Sequence, residues 1–404
     1  MKKGSAIKQA ILVAVAFVFA MPSIAPAGSR ARDLGIPFDG TPGPNNAITD
    51  VAGVEVGHTT LIRSSGKLER GKGPVRTGVT IIHPMGKAGI DAVAAGFSTI
   101  NGTGEFTGTR MIDETGLLIG PIALTGTGNL PVVQQAMTDW GARPGYLPED
   151  LVYWRLLPVV GETLDLRLND VFGHPMTEQD VFVALDRASA GPVEEGNVGG
   201  GTGMVAYGFK GGIGTASRTI TEGDKSYMVG VLIQANHGKR ADLRIAGVPI
   251  GQELPLDDDA ANSTRIAEPA VKNSLLVVIA TDAPLAPHQL NRLARRAALG
   301  IGRNGSTAGN QSGEFVLAFS TSNTTSLAGG SPVGGSVSDV DDALMNALFH
   351  AVVQGVEEAL VNQLVASQTM TGANGLTVYG LPHDQLKEIM KRHDRYRPSQ
   401  KTTP

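Results

Sequence analysis

No cysteine occurs anywhere in the 404 residues, so disulfide bridges, thiolate metal sites and a cysteine nucleophile are all excluded. Stability must come from a packed core. The eight histidines, His58, His83, His174, His237, His288, His350, His383 and His393, show neither H-x-H nor H-E-x-x-H spacing, which gives no support to a histidine-based zinc site. Each reads as a structural residue, and no metal or cofactor is expected. No Gly-Lys pair is followed by Ser or Thr, so the phosphate-binding loop is missing. An excess of positive charge is missing too. The formal net charge is -4 and there is no basic block, which argues against a nucleic-acid partner. Only the tail from Lys391 to Pro404 is locally basic, as a solvated end would be.

Long hydrophobic runs are lacking as well, except at the start. Lys2 and Lys3 precede an apolar stretch from Ala10 to Met21, and Ala25-Pro26-Ala27 then forms a small-x-small site before Gly28. Residues 1–27 therefore read as an export leader, too short for a membrane span of roughly 20 residues. No later segment is apolar enough to try. The expectation is a soluble periplasmic protein with no membrane anchor. Charged residues make up 18%, below the roughly 25% of an average protein, as suits one large domain, 28–404, with much of its chain interior.

What is abundant is glycine, 53 residues, scattered among apolar runs without a repeat, which implies many tight turns and close backbone contacts. Val79 to His83, Leu117 to Leu124, Tyr227 to Ala235, Ser274 to Thr281 and Glu314 to Ser320 are predicted strands. Several are apolar nearly throughout, as strands covered on both faces are. Leu290, Leu293, Ala294 and Ala297 follow helical spacing after Pro287, with Gly300 placed to end the helix. Leu344, Leu348, Ala351, Val352 and Val356 make a second stripe, with Ser338 and Asp341 as a capping arrangement. Strands and helices mix along the whole chain, so the fold class is α/β (α+β), layered sheets flanked by helices. Gly40 to Asn46, Ser64 to Val75 and Gly251 to Lys272 read as loops.

The last loop delivers the chain to Asn273-Ser274. If that bond is cut, Ser274 becomes an amino terminus carrying both a nucleophilic hydroxyl and an amine able to act as its base. Ser312 and Glu314, two apart in an extended chain, share one face at the head of a strand; they are either a proton relay or a polar strand start. Asn236, after the apolar run Val229 to Ala235, is either an oxyanion donor or a turn former. Glu162 either pairs with a cationic ligand group or lies in solvent. Gly199-Gly200-Gly201-Thr202-Gly203 is not a dinucleotide fingerprint; it is either a tight turn or backbone approaching a substrate or cut site.

Several longer phrases agree with one known family. Asn46-Ala47-Ile48-Thr49-Asp50-Val51, Val56-Gly57-His58-Thr59, Gly104-Glu105-Phe106-Thr107-Gly108, Gly196-Asn197-Val198-Gly199-Gly200-Gly201-Thr202-Gly203-Met204, Asn273-Ser274 and Ser312-Gly313-Glu314 resemble the β-peptidyl aminopeptidases and L-aminopeptidase/D-esterases, in order and over nearly the whole mature chain. The resemblance implies a precursor that cuts itself into an α-chain, 28–273, and a β-chain, 274–404. It also implies a four-layer αββα sandwich, like the N-terminal nucleophile hydrolases but with different connectivity, and a homotetramer.

By position, the resemblance makes Ser274 the nucleophile with Ser312 and Glu314 as proton-handling partners. Asn236 and the backbone N–H of Leu275 become the oxyanion hole, and Glu162 the receiver of the substrate's free amino group. Where members favouring α-amino acids have Glu-Thr-Tyr, this chain has Glu162-Thr163-Leu164, the pattern of members that favour β-amino acids. The implied activity is release of amino-terminal β-residues from peptides and small amides with a free amino terminus. Three alternatives stand beside it: an aminopeptidase, amidase or esterase preferring α-amino acid amides and esters; a self-processing acyltransferase of the ornithine acetyltransferase type; and an exported binding protein without chemistry.

Overall fold

A computed structural model describes residues 29–89, 91–254, 273–327 and 340–398. The leader, the expected start at Gly28, Ser338 and the 255–272 part of the loop before Asn273 lie outside the described residues. In chain order the strands are β1 (Glu55–Arg63), β2 (Val75–His83), β3 (Ala92–Gly102), β4 (Leu117–Leu118), β5 (Ile122–Gly126), β6 (Val159–Thr163), the short pair β7 (Val205–Ala206) and β8 (Phe209–Lys210), β9 (Gly212–Glu222), β10 (Lys225–Asn236), β11 (Ser274–Thr281) and β12 (Gly313–Thr325). Ten of them form a four-stranded sheet, β1-β2-β5-β6, and a six-stranded sheet, β4-β3-β12-β11-β10-β9, while β7 and β8 pair only with each other.

The two sheets lie face to face. Ile82, Ile122 and Leu124 from one meet Leu276, Val278, Leu317 and Phe319 from the other in a dry interior. The outer face of the larger sheet carries the helices Pro287–Arg303 and Asp342–Ala366, and the outer face of the smaller carries Leu130–Gly141 and Glu178–Arg187. Each helix seats its apolar stripe on a sheet. The result is a four-layer αββα sandwich. Every residue of β2 and of β11 is buried, as the nearly unbroken apolar run of β11 predicts for a strand covered on both sides; β2 buries Arg76, Thr77, Thr80 and His83 as well.

Three sequence expectations are corrected. The single strand expected over Leu117–Leu124 is two, β4 in the larger sheet and β5 in the smaller. Gly120 takes a φ of +80° and Pro121 has no N–H to give a ladder, so the chain turns there and changes sheets. Gly300 does not end its helix, which runs on to Arg303; a Cβ there would stand 2.7 Å from Val356 Cβ, so its role is close helix–helix contact. The long helix is capped by Asp341 itself, whose Oδ1 accepts from the Leu344 N–H at 2.8 Å.

Candidate active site

The site forms where three strands of the larger sheet end together. Ser274 opens β11. It pairs with Asn236, the last residue of β10, on one side, and with Gly313, the first of β12, in parallel on the other. Parallel pairing sets the heads of β11 and β12 level, so Ser312 and Glu314 flank the residue opposite Ser274. The Gly313 N–H donates to the Asn273 carbonyl at 2.9 Å, which ties the Asn273-Ser274 peptide to the head of β12. Ser274, Ser312, Glu314 and Asn236 are all at most 5% exposed.

Ser312 Oγ donates to Glu314 Oε1. Glu314 Oε2 is buried and has no hydrogen-bond donor among the described residues. Burial pushes the Glu314 carboxyl above its ordinary range, and the Ser312 hydroxyl offsets only part of that rise. Asn236 is held at both ends of its amide: Oδ1 accepts from the Val205 N–H at 2.9 Å and Nδ2 donates to the Leu164 carbonyl at 3.0 Å. One N–H of Nδ2 remains for a further acceptor. Asn236 is therefore a fixed strand-end donor, and the turn reading fails.

Leu164 follows directly on β6, so the Asn236 bond fastens the end of the smaller sheet to the head of β11. That end carries Glu162, which is buried, contrary to the solvent reading. Its Oε1 accepts from the Glu105 N–H at 3.0 Å, and its Oε2 accepts from the Thr127 hydroxyl. A Cβ on Gly104 would lie 3.0 Å from Glu162 Oε1 and 3.2 Å from the Phe315 ring; one on Gly313 would lie 3.2 Å from the same ring. Glu162 thus reaches the head of β12 through one glycine and one phenylalanine. The structure brings all the expected site residues to one end of the sandwich.

The glycine run 199–203 takes the turn reading. Gly199–Gly201 is a buried 3-10 turn between the sheets, with the Gly199 N–H on Thr60 Oγ1 at 2.9 Å and the Gly200 N–H on Thr80 Oγ1 at 3.1 Å. Lys210 holds it from below. Its ammonium donates to the carbonyls of Gly201, Met204 and Gly211 at 3.2, 2.9 and 2.5 Å, although burial pulls its pKa down to about 7. Two contributors escape the sequence reading: Thr127, and the Val205 N–H that orients Asn236. Neither carries a motif: Thr127 reaches Glu162 through the pairing of β5 with β6, and the Val205 N–H meets the Asn236 side chain from a segment distant in sequence.

A family model described as peptidase family S58 matches residues 46–378, and so spans all these elements. The chain belongs to peptidase family S58. This peptidase is 64% identical over 370 residues to a beta-peptidyl aminopeptidase of Sphingosinicella xenopeptidilytica, covering 90% of this chain and 92% of that one. It is 48% identical to a protein of the same name from Sphingosinicella microcystinivorans, covering 91% and 93%. Among solved structures, the L-aminopeptidase D-Ala-esterase/amidase of Ochrobactrum anthropi superposes with a TM-score of 0.83 at 44% identity, over 91% of this chain and 99% of that one; it is described as a new variant among the Ntn hydrolase fold. A Burkholderia beta-aminopeptidase gives 0.79 at 42% identity over 90% and 99%. The S58 peptidase described here is a hydrolase with that αββα fold.

Proposed function

We propose that this aminopeptidase is a self-processing enzyme that releases amino-terminal β-amino acid residues from peptides and small amides through an acyl-enzyme on Ser274. The observation that carries the reading is the placement of Ser274 at a buried strand head, between the Asn236 amide and the Ser312–Glu314 pair. Cleavage of Asn273-Ser274 yields one domain in two chains, 28–273 and 274–404. The new α-amine of Ser274 serves as base, since such amines titrate near 7.7 to 8.0 in model compounds, within reach of neutral working pH. Glu314 Oε2, a buried acceptor without a donor, offers that amine a partner.

The Ser274 hydroxyl gives its proton to the amine as Oγ bonds to the scissile carbonyl carbon. The second N–H of Asn236 and the N–H of Leu275 receive the oxyanion; one such donor typically supplies about 3 kcal/mol of transition-state stabilisation. Collapse passes the proton to the departing amine, and water then releases the amino acid from the serine ester. Glu162 takes the substrate's ammonium, which restricts cleavage to the amino-terminal residue. Leu164 puts no hydroxyl beside that carboxylate, and the 64% identity to a beta-peptidyl aminopeptidase supports the β-selective reading over an α-selective one. The leader supports export to the periplasm, and the family resemblance supports a homotetramer.

Matched anilides of β-alanine and alanine test the substrate class. The expected result is at least tenfold higher kcat/KM for the β-compound. Equal or better cleavage of the alanine anilide would overturn the β-selective reading.

A further inference from the structure

Lys210, in the short strand β8, is wholly buried, and among the described residues no carboxylate stands near enough to oppose the effect of burial on its amine. Its three hydrogen bonds all go to carbonyls, those of Gly201, Met204 and Gly211. Three acceptors call for three N–H donors, and only the ammonium has three; a neutral amine would turn its lone pair on one of them. The β7–β8 hairpin therefore encloses a positive charge that no neighbouring negative charge cancels. A simple tie between backbone segments would not need it. The Met204 carbonyl already accepts from the Gly211 N–H at 2.9 Å, and the ammonium, also at 2.9 Å, is its second donor.

What that second donor reaches is the catalytic end of the sheet. The Met204 carbonyl belongs to the same peptide group as the Val205 N–H, which donates to Asn236 Oδ1 at 2.9 Å. Asn236 stands opposite Ser274 in the pairing of β10 with β11, and its Nδ2 spends one N–H on the Leu164 carbonyl at 3.0 Å. A continuous line thus runs from Lys210 Nζ through the Met204–Val205 peptide and the Asn236 amide to the free N–H of Nδ2. Both links in it are conjugated amides. Charge drawn toward the oxygen of such a group makes its N–H a better donor, and hydrogen bonds in a chain strengthen one another by about 10–30% per bond.

We propose that Lys210 is a positioning residue for acyl transfer, which acts through the Met204–Val205 peptide to fix and polarise the Asn236 amide that receives the oxyanion. This rests on the proposed role of Asn236. The effect belongs to the transition state, where negative charge develops on the scissile carbonyl oxygen. Ground-state binding is left to Glu162, which takes the substrate's ammonium, so Lys210 should govern kcat and not KM.

The test is a double-mutant cycle on β-alanine anilide with wild type, Lys210→Met, Asn236→Ala and the double variant. Methionine keeps the length of the side chain and removes the charge and its donors, while the Met204 carbonyl retains the Gly211 N–H. Asn236→Ala is expected to lower kcat about 10²- to 10³-fold, as loss of one oxyanion donor does. Lys210→Met is expected to lower kcat about tenfold with KM changed less than about twofold, and to cost less than about twofold in kcat once Asn236 is alanine. A merely structural lysine would cost the same in both backgrounds. Equal losses in the two backgrounds, a loss confined to KM, or an unchanged kcat in a folded, cut Lys210→Met enzyme overturns the proposal. If Lys210→Met does not fold or is not cut, kcat is read from enzyme carrying the α-hydroxy acid analogue of valine at position 205, which replaces one N–H by an ester oxygen and keeps every side chain. A loss of about tenfold is expected there, and an unchanged kcat overturns the proposal. Failure of the underlying reading looks different: Asn236→Ala alone would then leave kcat intact, which removes the oxyanion role and Lys210 with it. If alanine anilide is cleaved and β-alanine anilide is not, the β-selective reading fails separately and the same cycle is read on alanine anilide.

Discussion

Glu314 and Glu358 are both buried glutamates of the six-stranded half of the molecule, and their carboxyls are displaced in opposite directions. At Glu358, on the helix outside the sheet, burial pushes the pKa up, but hydrogen bonds from Arg32 and Asn46 and the charges of Arg218 and Arg32 outweigh it, and the net shift is downward. Arg32 meets both carboxylate oxygens at 2.8 Å, Arg218 adds 2.7 Å and Asn46 2.6 Å. At Glu314 burial wins, because among the described residues only the Ser312 hydroxyl opposes it and Oε2 has no donor. A carboxylate that holds a structure together is saturated with partners. One that handles protons is left short of them.

Exchanging each carboxylate for its amide tests this contrast. Glu314→Gln is expected to lower kcat by about 10²- to 10⁴-fold, the usual range for a lost proton-handling group, with a smaller stability loss than its counterpart. Glu358→Gln leaves the Arg218 charge uncompensated beneath the helix, and should cost about 3–5 kcal/mol while the folded fraction keeps near-normal kcat. Denaturant titration beside steady-state kinetics separates the two; similar losses in both columns for both variants would remove the contrast.

The pH dependence of stability sharpens it. Glu358 binds its proton less readily folded than unfolded, so its contribution is full above about 4.5 and is lost as pH falls through the lower folded value. Two buried histidines, His83 and His237, and the half-buried His58 add to that acid limb. Burial lowers His58 and His83 to about 4 and His237 to about 3, so stability falls as pH drops from 6.5 toward those values. Glu314 has the opposite sign: its contribution is full below about 4.5 and is lost as pH rises through its raised folded value. Chemical denaturation across pH should show a flatter acid limb in Glu358→Gln and, above about pH 4.5 where the opposing Glu314 contribution is removed, a steeper one in Glu314→Gln. The smallest effect belongs to Thr127→Val, which removes one donor from Glu162. A few-fold rise in KM is expected, with stability changed by about 1 kcal/mol; an unchanged KM would mean that Thr127 does not set the carboxylate.

Legibility in the sequence follows the range of the contact. Ser312 and Glu314 could be paired from their spacing alone, because a strand repeats every two residues, and the apolar run of β11 announced its burial. Thr127 could not be found that way: it reaches Glu162 because β5 and β6 pair in parallel, with Thr125 opposite Glu162. Gly300 misled because glycine both ends helices and admits close helix contact, and only the partner helix shows which role applies.

In the proposed mechanism, cutting Asn273-Ser274 creates the catalytic amine. Intact-mass measurement and amino-terminal sequencing of purified wild type and Ser274→Ala test it most directly. Two wild-type chains are expected, the second beginning at Ser274, and a single uncut, inactive Ser274→Ala chain. A wild type that stays in one piece yet hydrolyses its substrate, or a Ser274→Ala variant that is cut and active, would contradict it.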